Sequence, residues 1–147
     1  MAVITKYHLF ALGEKASWFG VSCCEGLTGG RFYWEVEWTG AVVVGVKHKG
    51  KDSRYHKESW SLYCNSRSSQ YEASHNNGFF KIDMADRESR RVGVYLDWPA
   101  GTLSFYAAAA FERLTHLHTF HSAFTKPLYP EFFLYDMPDA SVAIVSE

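Results

Sequence analysis

The segment from Arg91 to Tyr106 constrains the chain more than any other, because two alternating strands and the turn between them lie in one short stretch. Val92, Val94 and Leu96 fall on one face of the first strand, and Leu103 and Phe105 on one face of the second, as a period of two requires. Between them Pro99 presets φ at the second position of a turn begun by Trp98. Gly101 takes the fourth position, which is the chemistry of a type I turn. A hairpin with one apolar face does not stand alone in water and needs a second layer over it. The rest of the chain must supply that layer.

The sequence before the hairpin reads as a series of short strands. Ile4 to Ala11 alternates weakly, with a turn at 12–15, and Ser17 to Cys24 is short and apolar. From Arg31 to Trp38 the alternation is clean: Phe32, Trp34, Val36 and Trp38 share one face, and Arg31, Tyr33, Glu35 and Glu37 share the other. Ala41 to Val46 is an unbroken apolar run rich in valine, expected of a strand buried on both faces. Trp34 and Trp60 are expected in the core, where their rings supply large buried area. Three more strands are expected at 60–64, 70–73 and 78–82, separated by turn-forming residues.

After the hairpin come an alternating segment from Arg113 to Phe120, an aromatic strand from Pro127 to Tyr135, and a last strand at 141–145. The run Ala107 to Ala110 is unusual between two strands and reads as a polar loop replaced by design. No amphipathic helix is present in the pattern, apart from one short turn expected within 83–90. A strand every eight to twelve residues is the cadence of an all-β sandwich or barrel.

At 147 residues the chain is one domain, able to bury a core without staples. A formal charge of −1 removes the electrostatic argument for a nucleic-acid or anionic-membrane partner. The longest basic cluster, Lys47 to Lys51, reads as a solvated loop. The three cysteines, Cys23, Cys24 and Cys64, have no Cys-x-x-Cys spacing, so neither a disulfide framework nor a zinc site is expected and a reducing, cytoplasmic location fits. No charged leader precedes a long apolar run, and no stretch reaches membrane-span length.

Candidate chemistry is sparse. Glu35 and Glu37 lie two apart on one strand face, about 7 Å between Cβ atoms, within reach of a glycosidase carboxylate pair. Gly40 stands where a third acid would complete such a site, and strand alternation alone accounts for both glutamates. His116 and His118 share a strand face, expected to be the outer one, and His121 follows, but no carboxylate or cysteine lies at ligand spacing. There is no Gly-x-Ser-x-Gly elbow, and Gly26, Gly29 and Gly30 precede a strand, where a phosphate loop would precede a helix. No enzymatic activity, cofactor or metal is expected.

Six motifs follow one another along the chain: Glu25 to Glu37, Val44-Gly45-Val46, Ser59-Trp60, Arg91 to Asp97, Ala100 to Tyr106 and Ala123 to Pro130. In their order and spacing they together resemble the SPRY or B30.2 family, as found in tripartite-motif proteins, butyrophilins and fish immune receptors. The resemblance runs from about Ser22 to Ile144, with the SPRY domain placed at 22–147. Residues 1–21 lack the Leu-Asp-Pro stretch and Thr-Ala pair of longer PRY-SPRY members, so the front segment looks truncated or rewritten. A sheet edge left bare by that loss would invite pairing into a homodimer.

The resemblance implies a β-sandwich of two antiparallel sheets acting as a protein or peptide recognition module, the specificity domain of a ubiquitin ligase or innate-immune protein. Carried over by position, its partner-binding end comprises Val43, then Tyr63 and Asn65, then His75 and Asn76, and finally Tyr135 and Met137. Tyr55 and His56, in the long polar loop, are the next candidates. Two alternatives remain: the C-terminal domain of a secreted pore-forming toxin, and a carbohydrate-binding sandwich.

Overall fold

The computed structural model describes residues 2–3, 18–22, 26–48, 58–108, 113–135 and 140–144, and no described residue is helical. Twelve strands run in order: β1 (Ala2–Val3), β2 (Trp18–Ser22), β3 (Arg31–Thr39), β4 (Ala41–Lys47), β5 (Ser59–Asn65), β6 (Gln70–His75), β7 (Gly78–Asp83), β8 (Arg91–Asp97), β9 (Thr102–Ala108), β10 (Leu114–His121), β11 (Tyr129–Tyr135) and β12 (Ser141–Ile144). They form two sheets of six strands, a β-sandwich as expected. Sheet A is ordered β1-β3-β8-β9-β10 with β12 also on β3, and sheet B is ordered β2-β11-β4-β5-β6-β7. All pairings are antiparallel except the two-residue contact of β1 with β3.

The central hairpin is β8–β9, paired from Arg91↔Ala108 to Asp97↔Thr102. Its turn closes as the residues dictate: the Gly101 N–H donates to the Trp98 carbonyl at 3.1 Å, and the Ala100 N–H donates to Asp97 Oδ1 at 3.2 Å. Gly101 has φ +70°, in the left-handed region. The hairpin's buried face meets the layer that the sequence demanded. Trp34, Val36, Trp38, Val92, Val94, Leu96, Leu103 and Phe105 of sheet A join Val42, Val44, Val46, Trp60, Leu62, Cys64, Tyr71, Phe132 and Leu134 of sheet B in one core. Trp34 and Trp60 are both buried, as expected. Residues 41–46 are buried throughout, so β4 is covered on both faces.

Two sequence expectations change. The alternation through β10 is broken by a bulge between His116 and His118: His116 lies opposite Tyr106 and His118 opposite Phe105. The extra residue turns the two histidines to opposite faces, where a regular strand would have kept them on one. His116 is exposed and shares a hydrogen bond with Thr119 Oγ1, whereas His118 packs edge-on against Phe120. Burial, and then His116 and His121, hold the His118 imidazole below its ordinary pKa. The expected alanine anomaly resolves in part, since Ala107 and Ala108 continue β9; Ala109 and Ala110 lie outside the described residues.

The expected strand at 4–11, and Cys23 and Cys24, also lie outside them. The two front strands that are described do not leave β3 or β11 bare, because β1 pairs with the first and β2 with the second.

Tyr71 on β6 is 1% exposed. Burial first, and then the neighbouring Cys64, push its hydroxyl up from 10.0 to about 12. The folded state therefore keeps a proton that the unfolded chain loses above pH 10. The stability this group contributes is fully present below pH 10 and is lost as the pH rises toward 12, on the order of 2 kcal/mol. A tyrosinate absorbance titration run beside circular dichroism is expected to show Tyr71 ionising only as the fold is lost. Ionisation of every tyrosine near pH 10 with the fold intact would contradict this.

Candidate functional site

The outer face of sheet B carries the most unusual side chains in the molecule. Antiparallel register sets Phe133 opposite Val43 and Val43 opposite Tyr63. One pleat further along, Ala41 lies opposite Asn65, and Tyr135 follows at the end of β11. The Tyr63 and Tyr135 rings meet edge to face, with centroids 5.2 Å apart and an interplanar angle of 68°. Asn65 Nδ2 donates to the Tyr63 hydroxyl at 2.8 Å. Asn65 Oδ1 accepts the Arg67 N–H at 2.9 Å, which ties the amide to the 65–70 turn. Tyr63, Asn65 and Tyr135 are half-buried. Two aromatic faces and an oriented amide thus stand on a rigid floor of Val43 and Phe133, 1% and 5% exposed.

The sequence placed His75 and Asn76 in the same binding end, and the strand geometry does not bring them there. Trp60 and His75 stack at 4.6 Å and 12°, at the Ser59 end of β5, whereas Asn65 is at the other end. Five residue steps along β5 separate Trp60 from Asn65, roughly 17 Å. His75 faces inward, with Nδ1 2.9 Å from the Ser59 carbonyl oxygen and its ring against Phe120. Asn76 is exposed in the turn with φ +51°, a backbone role that its residue type suits. Val43 is a floor and offers a partner no surface of its own. Tyr55, His56 and Met137 lie outside the described residues.

A second concavity opens at the His75 end: a cleft of about 680 Å³ lined by Trp98, Pro99, Gly101, His121, Ser122 and Phe124. Phe124 links it to the Trp60 ring at 5.5 Å.

Chemistry missed by the sequence reading lies between the two ends. Glu131, Ser59, Ser61 and Ser74 are fully buried on the outer face of sheet B, and the Ser59 hydroxyl donates to Glu131 Oε1 at 2.8 Å. Glu131 sits in an aromatic strand at the same parity as Phe133 and Tyr135. That parity was the available signal that it points away from the core. On sheet A, Arg91 bridges the two glutamates weighed as a glycosidase pair. Nη2 is 2.5 Å from Glu37 Oε1 and Nη1 is 3.6 Å from Glu35 Oε1, while the Tyr33 hydroxyl donates to Glu35 Oε2 at 2.5 Å. Glu37 holds the Arg91 guanidinium above its ordinary pKa, and burial raises the Tyr33 hydroxyl. The two acids are thus members of an ion-pair network. Among the described residues no group of three or more potential metal ligands converges.

The SPRY domain family model matches residues 31–146. The chain belongs to the SPRY domain family. This SPRY domain is 44% identical over 133 residues to stonustoxin subunit beta of Synanceia horrida, covering 84% of this chain and 19% of that protein. It is 35% identical over 127 residues to tripartite motif-containing protein 14 of Mus musculus, covering 78% of this chain and 28% of that one. It thus spans about a fifth of the toxin subunit's length.

Among solved structures, stonustoxin superposes with a TM-score of 0.77 at 32% identity, over 88% of this chain and 22% of that one. The TRIM65 PSpry domain superposes with a TM-score of 0.74 at 25% identity, over 87% and 71%. Both kinds of larger protein therefore carry a domain like this one.

Proposed function

We propose that this SPRY domain is a recognition module that binds a protein or peptide on the outer face of sheet B, at Tyr63, Asn65 and Tyr135. The observation that carries this reading is the half-buried Tyr63–Tyr135 pair with the Asn65 amide fixed beside it. Large aromatic area held at low entropy cost beside a polar group is the composition of binding hot spots. The flanking strands hold both rings, so a partner meets a preformed surface and docks with little backbone change. The cleft at Trp98 is the weaker candidate, since among the described residues exposed His121 is the one titratable side chain lining it.

Two settings suit such a module. Likeness to tripartite-motif proteins, among them E3 ubiquitin-protein ligase TRIM69 of Mus musculus, supports the specificity domain of a cytoplasmic ubiquitin ligase or innate-immune protein. The 44% identity to a stonustoxin subunit supports the terminal domain of a pore-forming toxin chain. A RING and coiled coil upstream in the full-length chain would favour the first, and a pore-forming lobe the second.

The test is affinity capture from cell lysate with the wild-type domain and a Tyr63→Ala/Tyr135→Ala variant, read by mass spectrometry. A protein retained by the wild type and lost from the folded variant is expected. Identical retention by both folded proteins would move the site elsewhere.

A further inference from the structure

Phe79 and Phe80 are each 55% exposed, at adjacent positions of β7. β7 is the last strand of sheet B, and its side chains are exposed at every position but Ile82. The turn before it has two residues, Asn76 and Asn77, with φ +51° and +64°. Such a hairpin closes on a hydrogen-bonded pair, here His75↔Gly78. The main-chain groups of Gly78, Phe80 and Ile82 therefore point to β6. Those of Phe79, Lys81 and Asp83 point outward, where no further strand pairs among the described residues.

We propose that β7 is the pairing edge of a homodimer, in which a second copy of this chain adds its own β7 antiparallel about a two-fold axis at Phe80. A two-fold axis perpendicular to the sheet keeps each face on its own side, so paired positions must share parity. That leaves few centres. An axis at Phe79 would draw Asn76 and Asn77, both left-handed, into the ladder. An axis at Lys81 sets that ammonium against its own copy, and like charges directly opposite destabilise. An axis at Ile82 sets Phe79 opposite Ala85, past the strand end, where Met84 is buried and its N–H is already donated to the Ser69 carbonyl.

At Phe80 the ladder runs over 78–82 before it reaches Asn77, and no like charges stand directly opposite. Phe80 faces Phe80 of the second copy in a close, non-hydrogen-bonded pair, and Lys81 faces Phe79 of the second copy twice. Phe80, 55% exposed beside the His118 ring on which it stacks at 4.8 Å, meets Phe80 of the second copy as an aromatic pair, and the two Phe79–Lys81 contacts add cation–π attraction. The two Phe79–Lys81 pairs each exchange two N–H···O bonds, making one sheet continuous across both copies. A central lysine ordinarily blunts a sheet edge. In this register it meets a ring, so the edge is open to its own copy while still repelling shifted pairings.

Sedimentation velocity of the whole chain from about 1 µM to 1 mM is expected to show a monomer–dimer equilibrium. Lys81→Pro removes an outward N–H and leaves the β6–β7 ladder intact, so this variant is expected to stay monomeric with unchanged near-UV circular dichroism. If that variant does not fold, Phe80→Glu places two like charges on the axis and is expected to be monomeric. A wild-type chain that is monomeric throughout, or a folded variant that still dimerises, would overturn the proposal.

Discussion

Gly45→Ala is expected to cost about 3 kcal/mol or more of stability, seen as a fall in Tm on the order of 10 °C. Gly45 lies in the middle of β4, between Glu131 of β11 and Ser61 of β5. A Cβ there would overlap the Trp60 carbonyl oxygen and come within 2.8 Å of Ser61 Cα. Both neighbours are main chain in a paired strand, so neither can swing aside. Relief requires β4 and β5 to part at the centre of sheet B, stretching the ladder that also positions Tyr63. Loss of partner binding should therefore accompany the loss of stability. A variant with unchanged Tm would show that the strands are less tightly apposed than this.

Trp60→Ala should be comparably severe, about 3–5 kcal/mol by denaturant unfolding. Trp60 is 3% exposed and is the hub of an aromatic cluster: His75 stacks on it, while His48 and Phe124 meet it edge-on at 5.4 and 5.5 Å. Truncation opens a cavity and unseats His75. Trp60→Phe keeps most of the apolar volume and should recover a large part of the loss. A Trp60→Ala variant of near wild-type stability would mean that the cluster is not the structural anchor of that end.

The residues that made the fold legible were those whose period survived into three dimensions. The alternation of Trp34, Val36 and Trp38 against Tyr33, Glu35 and Glu37 became the two faces of β3. The turn residues Pro99 and Gly101 became the turn that closes β8 onto β9. Where one extra residue entered, period failed: the β10 bulge separates His116 from His118, and nothing in Thr115 to Thr119 announces it.

The arrangement of the candidate residues was legible in part for a related reason. Position along the family's motifs located Tyr63, Asn65 and Tyr135, which strand register then brought onto one face. The same positional argument grouped His75 with them, because neighbours in a hairpin are close in sequence yet alternate between the two ends of their strands. Which end His75 occupies follows only from the β5–β6 register, with Ser61 opposite Ser74. Burial of Glu131 depends likewise on what lies over sheet B, which strand periodicity does not specify.

The most direct measurement is amide hydrogen exchange of the domain with and without the captured partner, resolved by peptide. Protection is expected in peptides covering 63–67 and 133–135, with the turns at 75–78 and 98–101 unchanged. Protection confined to 98–101 and 121–124 would place recognition in the Trp98 cleft and contradict the assignment to Tyr63, Asn65 and Tyr135.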